Sequence, residues 1–294
     1  MNTMFENMVN TIEKSININE EQAVTIINNI RTKLRNYVKD NNLKSVVVGI
    51  SGGLDSSIIA AICNENNIGV PLIGLSIPIS SSNEHREQAR WIGDEFCDVF
   101  EETHFFDNKV MDFFSDLNST NQLVEDNHNN DYNEKIRLGN LKARLRMITL
   151  YDMANKTKGM VLSTDNFSEY LSGFWTICGD VGDYAPIQKL WKGFELPLIA
   201  KYLGIRQDII DQKPSDGLNV TSENTDEAQL GMNYKEFDSI MMCELGYIEN
   251  KDIMNIYETL KANNFNKINL ALNKYKSTQF KRNGTIILER NELF

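Results

Sequence analysis

The sequence predicts an α/β protein, a doubly wound parallel sheet with flanking and C-terminal helices, on three observations. Residues 45–50 (Ser45-Val46-Val47-Val48-Gly49-Ile50) form a continuous β-branched run with no polar alternation, the mark of a strand covered on both faces. Gly52 and Gly53 break that run, residues 56–66 have helical composition, and residues 70–77 return to a buried strand. The alternation then continues: 83–98 is charged and helical, 99–106 a third strand, 134–156 a long helix and 159–163 a short fourth strand. Strands and helices that alternate in this way build a parallel sheet wrapped by helices, and ligands bind such sheets beyond the carboxyl ends of the strands.

Ahead of the first strand, residues 21–40 place Val24, Ile27, Ile30, Leu34 and Val38 at spacings of three and four, which predicts an amphipathic helix ending at the Asp40-Asn41-Asn42 turn. Residues 1–20 read as a polar lead. Residues 107–133 are rich in Asn and Asp and read as a surface loop. Residues 213–230 are also polar and full of turn formers, and a stretch of that length suits a lid. From Tyr234 to Tyr275 the helical pattern returns, so 234–294 is a helical C-terminal part of what reads as one domain, 1–294.

The composition narrows the function classes. Of 294 residues, 41% are apolar and 24% charged, a globular balance that argues against disorder and against a membrane class. A net charge of −11 repels polyanions. The one dense basic stretch, Lys142, Arg144 and Arg146, is too short to grip a nucleic-acid backbone, so no nucleic-acid partner is expected. The N-terminus lacks a signal-like apolar core and no apolar run reaches spanning length, so no membrane partner is expected either. Cys63, Cys97, Cys178 and Cys243 are widely spaced without a CxxC pair, which argues against zinc or disulfides and fits the cytoplasm, with the thiols packed or incidental. His85, His104 and His128 are expected on the surface, and no Ser-His-Asp or Cys-His arrangement stands out.

The segment Gly49-Ile50-Ser51-Gly52-Gly53-Leu54-Asp55-Ser56-Ser57 lies where the interior strand hands over to a helix. Two glycines let several N–H groups face one point, the helix start adds partial positive charge, and Ser51, Ser56 and Ser57 add hydroxyls, so the bend suits a pyrophosphate. It has no lysine and matches neither GxxxxGK(S/T) nor GxGxxG. Asp55 beside phosphates needs a bridging cation, which Mg²⁺ supplies. An aspartate at a helix start also serves as a cap, but the glycines and serines around this one favour the metal.

SGGLDSS at 51–57 resembles the pyrophosphate loop of the N-type ATP pyrophosphatases, whose fold is adenine nucleotide alpha hydrolase-like and Rossmann-like. Later segments resemble the NAD synthetase family within that group. Gly139-Asn140-Leu141-Lys142-Ala143-Arg144-Leu145-Arg146-Met147 is similar to its G-N-x-x-A-R-x-R-M segment, Ser163-Thr164-Asp165-Asn166-Phe167-Ser168-Glu169 to GT(D/N)xxE, and Phe174-Trp175-Thr176-Ile177-Cys178-Gly179-Asp180 to F-x-T-x-Y-G-D. Pro186-Ile187 with Lys192, Pro214-Ser215, Thr225-Asp226-Glu227 and Lys281-Arg282 echo further segments in order.

The resemblance implies catalytic roles for Asp55, Glu169 and Lys192, with Mg²⁺ on Asp55 and Glu169. It implies ATP binding by Gly49, Ser51, Gly52, Gly53, Asp55, Ser56 and Ser57, and by Ser76, Arg146, Thr164, Lys192 and Ser215. Binding of deamido-NAD is implied for Asn140, Arg144, Tyr151, Phe174, Trp175, Asp180 and Lys281. The activity implied is ATP-dependent amidation of nicotinic acid adenine dinucleotide by ammonia, in a homodimer. Glutamine-dependent relatives carry an amidase domain before the loop, whereas only about 45 residues precede it here, so ammonia is expected from solution or from another protein.

The chain departs from the family pattern at Ser76, where relatives often have arginine, at Ile177-Cys178 for Lys-Tyr, and at Phe280 for histidine; GDVGDYAPI is also one residue short around Asp183. These departures keep open the same chemistry on a different carboxylic acid. A nucleotide-binding regulator without turnover is the other reading, but mere binding does not need two metal carboxylates.

Overall fold

The computed structural model describes residues 1–16, 18–107, 109–120, 131–214 and 225–290. The chain opens with helices α1 (Asn2–Ser15) and α2 (Glu20–Asp40) before strand β1 (Val46–Gly49). Next come α3 (Leu54–Ile62), α4 (Glu65–Ile68), β2 (Leu72–Ser76), α5 (Asn83–Phe96) and β3 (Val99–Glu102). Helices α6 (Val110–Thr120) and α7 (Asp131–Thr157) lead to β4 (Met160–Val161) and α8 (Phe167–Ser172). Helices α9 (Glu195–Tyr202), α10 (Gln207–Ile210), α11 (Asp226–Leu230), α12 (Tyr234–Glu244), α13 (Lys251–Ala262), α14 (Asn266–Ser277) and α15 (Gln279–Arg282) complete it.

The strands make one parallel sheet in the order β3-β2-β1-β4. Period-two geometry divides the β-branched run of β1 between two cores. Val46 and Val48 pack with Ile27, Leu34, Ile58 and Ile199 under α2, α3 and α9. Val47 packs on the other face with Leu145, Leu150 and Ala154 of α7. Burial on both faces is why the run carries no polar residue. The chain runs from β1 outward to β2 and β3, then returns to place β4 on the opposite flank of β1. That reversal opens a crevice at the carboxyl ends of β1 and β4, where the two following loops diverge.

Three expectations are corrected. Residues 1–20 are no loose lead: α1 turns Phe5, Met8, Val9 and Ile12 inward, and they join Phe237, Tyr257 and Phe265 in a third core built with α8, α12, α13 and α14. The spacing 5, 8, 9, 12 is helical, but polar neighbours dilute it. Within 107–133, α6 is ordered by Val110 and Phe114, and Arg137 Nη2 on α7 donates to Asn118 Oδ1 at 2.7 Å; residues 121–130 lie outside the described residues. His85 is half-buried, not on the surface, and its ring nitrogen meets Ser82 Oγ at 3.0 Å; His104 is exposed and His128 lies outside the described residues. Cys63 and Cys243 are buried, Cys97 half-buried and Cys178 exposed, all as free thiols. Among the described residues no helix is long and apolar enough to cross a membrane.

Met8 is wholly buried in the third core. Met8→Ala is expected to lower stability by about 2–4 kcal/mol in denaturant unfolding, through lost transfer energy and a residual cavity. A change below ~0.5 kcal/mol, the range of surface substitutions, would show that α1 does not pack.

Candidate active site

The bend after β1 is set by local sterics. Gly52 takes φ +89°, and a Cβ there would lie 2.3 Å from the His85 carbonyl oxygen, so only glycine fits. Ser51 Oγ accepts Gly53 N–H at 3.2 Å and meets Ser56 Oγ at 3.1 Å. The Ser56 and Ser57 hydroxyls donate to the Gly53 carbonyl at 3.1 and 2.7 Å. Gly53 is the N-cap of α3 and has no side chain to satisfy the first-turn N–H groups, which leaves them for an anionic ligand.

Asp55 sits in that first turn but is not the cap. Its Oδ1 accepts Asn166 Nδ2 at 3.3 Å and its Oδ2 lies 3.1 Å from Lys192 Nζ. Asn166, after β4, caps α8 in a reciprocal box: Glu169 N–H donates to Asn166 Oδ1 at 2.9 Å and Asn166 N–H to Glu169 Oε2 at 3.4 Å. Glu169 Oε1 then takes Lys192 Nζ at 2.5 Å, and Asp226 Oδ2 stands 4.0 Å from the same ammonium. One carboxylate therefore both caps a helix and faces the cation.

Lys192 is fixed through its backbone. Its N–H donates to Ser168 Oγ at 2.9 Å and Gly193 N–H to Asp238 Oδ2 at 2.8 Å. A Cβ on Gly193 would lie 2.7 Å from Lys235 N, so the segment passes hard against α12. Burial alone would lower the Lys192 pKa, but Asp55, Glu169 and Asp226 outweigh it and hold the ammonium charged. Burial pushes Glu169 up to about 8 against the pull of Lys192, with Asp55 adding to the rise. Burial, reinforced by Asp180, likewise pushes Asp165 up to about 7, and Ser163 Oγ donates to it at 2.8 Å.

Two cavities adjoin this cluster, of about 710 and 520 Å³, and both are lined by Ser51, Gly53, Arg146, Thr164 and Asp180. The larger takes in Asp55, Glu169, Lys192, Asn140, Phe174 and Trp175; the smaller takes in Gly49, Ser76 and residues 77–82. Arg146 Nε donates to Ile77 O at 3.1 Å and stands on the shared wall. Burial raises the Asp180 carboxyl while the Thr176 N–H, at 2.5 Å, opposes it. Thr176 Oγ1 donates to Asn140 Oδ1 at 2.7 Å, tying α7 to the loop that carries the aromatic pair.

Not every expected residue comes to the cavities. Arg144 is exposed and its Nε donates to Ile177 O at 3.2 Å; Tyr151 Oη donates to Asp183 Oδ1 at 2.9 Å, and Asp183 Oδ2 accepts Val161 N–H. Gly52 and Ser57 build the bend from behind. Lys281 lines the larger cavity, but its Nζ donates to Gly173 O at 2.6 Å and Trp175 O at 2.5 Å. Ser215 lies outside the described residues, as does 215–224 of the expected lid; the ends of that segment meet where Asp226 N–H donates to Pro214 O at 3.0 Å. Asn166, Ser168, Asp226 and Asp238 have no role assigned from sequence. The Asn166-x-x-Glu169 spacing is a signal for the first; nothing local marks Asp238.

A model of the NAD synthase family matches residues 26–285, which carries the whole sheet, the bend and the cation cluster. The chain belongs to that family. An NH(3)-dependent NAD(+) synthetase of Alkaliphilus oremlandii is 36% identical over 245 residues, covering 80% of this chain and 90% of that protein. One of Finegoldia magna is 38% identical over 213 residues, covering 71% and 80%. Among solved structures, an NMN synthetase from Francisella tularensis superposes with TM-score 0.68 at 22% identity, covering 92% of this chain and 98% of that one. An NH3-dependent NAD synthetase from Campylobacter jejuni does so with TM-score 0.68 at 23% identity, covering 91% and 99%. These two share the NAD synthase fold seen here.

Asp238 supplies a pH test. Burial pushes its carboxyl from an ordinary 3.8 up to about 7, with Ser168 and the Gly193 N–H offsetting part of the rise. Between those two values the folded protein holds a proton that the unfolded chain has released, so this contribution to stability is full below about pH 4 and is lost as pH rises through 7. Wild type is expected to lose stability between pH 5 and 7 with a slope approaching about 1.4 kcal/mol per pH unit from this group, and Asp238→Asn to flatten that slope. Equal slopes in denaturant melts would show the carboxyl to be ionised in the fold.

Proposed function

We propose that the protein converts nicotinic acid adenine dinucleotide to NAD, using ammonia as nitrogen donor and ATP as energy source, through an acyl-adenylate with release of AMP and pyrophosphate. The observation that carries this is the meeting of Asp55, Glu169 and Lys192 beside an anion-binding bend, next to a cavity walled by Phe174 and Trp175. The relatives at 36% and 38% identity bear the name of this activity.

In the first half, a nicotinate carboxylate oxygen attacks the α-phosphorus of ATP; a C–O–P bond forms and the α–β P–O bond breaks. A carboxylate approaching a polyphosphate meets like charge. The bend N–H groups, Lys192 and Arg146 offset that charge from fixed positions and need no reorganisation as it develops. In the second half, ammonia attacks the activated carbonyl carbon and AMP leaves. Water would give a wasted hydrolysis, so the activated acid has to be kept in a cavity from which water is excluded. The smaller cavity, with buried Ser76, suits the adenosine end of ATP.

The donor set fits Mg²⁺. Asp55 and Glu169 offer hard oxygen ligands around one ammonium, and no cluster of three or more metal-binding side chains is found among the described residues, so phosphate oxygens and water would complete the shell. Bound there, the ion would neutralise phosphate charge. We read the chain as one catalytic unit and as a cytoplasmic enzyme, in keeping with its unpaired thiols. Met111, Phe113 and Leu117 on α6 and Ile148 on α7 are exposed apolar side chains of the kind a homodimer would cover.

The deciding assay supplies ATP, Mg²⁺, ammonium and nicotinic acid adenine dinucleotide, and follows NAD and pyrophosphate; nicotinic acid mononucleotide is the competing acid to include. Equimolar NAD and pyrophosphate support the function, and pyrophosphate release with neither acid would refute it. Asp55→Asn is expected to remain folded and to lose pyrophosphate release by about 10³-fold, as for loss of a preorganised charge at a reacting phosphate. Turnover within a few-fold of wild type would remove Asp55 from the mechanism.

A further inference from the structure

The larger cavity contains a cation that the proposed chemistry does not use. Lys274, on the last turn of α14, is half-buried and lines the cavity with its Nζ 5.6 Å from the Phe174 ring centroid. Its ammonium makes no hydrogen bond or ion pair with any described residue, and burial lowers its pKa with no carboxylate among the described residues opposing the fall. Lys281, close enough for the two ammoniums to repel, differs: its Nζ is committed to the carbonyls of Gly173 and Trp175. An ammonium partly withdrawn from water, with no counter-charge among the described residues, gains from a ligand that supplies one.

A second orphan lies in the same wall. Trp175 Nε1 is buried and has no acceptor among the described residues, although an indole N–H can only donate. Trp175 also lines the larger cavity. The uncharged departures Ile177 and Phe280 are both exposed and line neither cavity, so they bring no charge to this end. The bend N–H groups and Lys192, which line the same cavity, are already assigned to the polyphosphate, and Lys192 has its own counter-charges in Asp55 and Glu169. Lys274 and Trp175 therefore point to the other substrate.

We propose that Lys274 and the Trp175 indole N–H form an anion subsite that receives a negatively charged group of the acid-bearing substrate, its carboxylate or its phosphates, and so sets the preference for that substrate. This rests on reading the larger cavity as the acceptor site. Lys274 is a specificity residue here, brought to the cavity by α14 and set beside the Phe174 ring.

The test measures dissociation constants of the full-length protein for nicotinic acid adenine dinucleotide, for NAD and for Mg·ATP, in wild type, Lys274→Met, Lys274→Arg, Trp175→Phe and the exposed-residue control Lys276→Met. Lys274→Met is expected to weaken the dinucleotide acid ten-fold or more and Trp175→Phe three- to five-fold. Lys274→Arg should stay within three-fold, and Lys276→Met and every Mg·ATP constant within two-fold. If NAD weakens in parallel, the group held is a phosphate; if only the acid weakens, it is the carboxylate. Ligand-free Lys274→Met should melt at the same or a higher temperature, because an uncompensated cation has been removed, whereas a packing role would lower it. A dinucleotide constant within two-fold of wild type in Lys274→Met, or an equal loss for Mg·ATP, overturns the subsite while leaving the activity intact. A wild type that binds no dinucleotide acid overturns the functional reading and the subsite with it.

Discussion

Lys192 Nζ lies 3.1 Å from Asp55 and 2.5 Å from Glu169, and most of the site's geometry follows from keeping that ammonium charged in the interior. Removing an ion from water costs several kcal/mol even after relaxation, so the carboxylates must be close and must be held there. Asp55 is held because it follows the bend after β1, and Glu169 because Asn166 caps the helix that follows β4. The two segments are far apart in sequence and meet because β4 pairs directly with β1. Strand order is therefore the cause, and the electrostatic cluster its consequence.

Lys192 itself is positioned from the opposite side. Ser168 and Asp238 hold the backbone on either side of its Cα, and Gly193 lets that backbone press against α12. The third core, to which α1 contributes, thus supports the buried Lys192 ammonium as well as the C-terminal helices. This links a stability element to the chemistry: loosening α12 would shift the ammonium relative to both acids.

Much of this is legible in the chain. β1 is readable because a strand buried on both faces must be apolar throughout, and the bend because Gly52 has to adopt positive φ against His85. The pairing of Asp55 with Glu169 follows from resemblance, and geometry adds a cation between them. What stays hidden arises from tertiary approach. Asp238 sits on α12, where residues 237–243 are all buried, and nothing in the local sequence shows that Gly193 and Ser168 arrive at its carboxyl. Helix α1 is obscured because four inward residues are scattered among ten others, most of them polar. Tyr151 is expected in the cavity, but its hydroxyl and Val161 N–H both go to the Asp183 carboxylate.

The two cavities share Arg146 and Asp180 as a common wall, so ATP and the acid would meet where the bend turns toward Thr164. The proposed reaction has the carboxylate attack the α-phosphorus there, and isotope transfer tests that attack most directly. Nicotinic acid adenine dinucleotide carrying ¹⁸O in both carboxylate oxygens is turned over with ATP, Mg²⁺ and ammonium, and the products are weighed by mass spectrometry. One ¹⁸O atom is expected in AMP and one in the NAD amide. Label in pyrophosphate or in free phosphate, or AMP without label, would contradict an acyl-adenylate formed at this site.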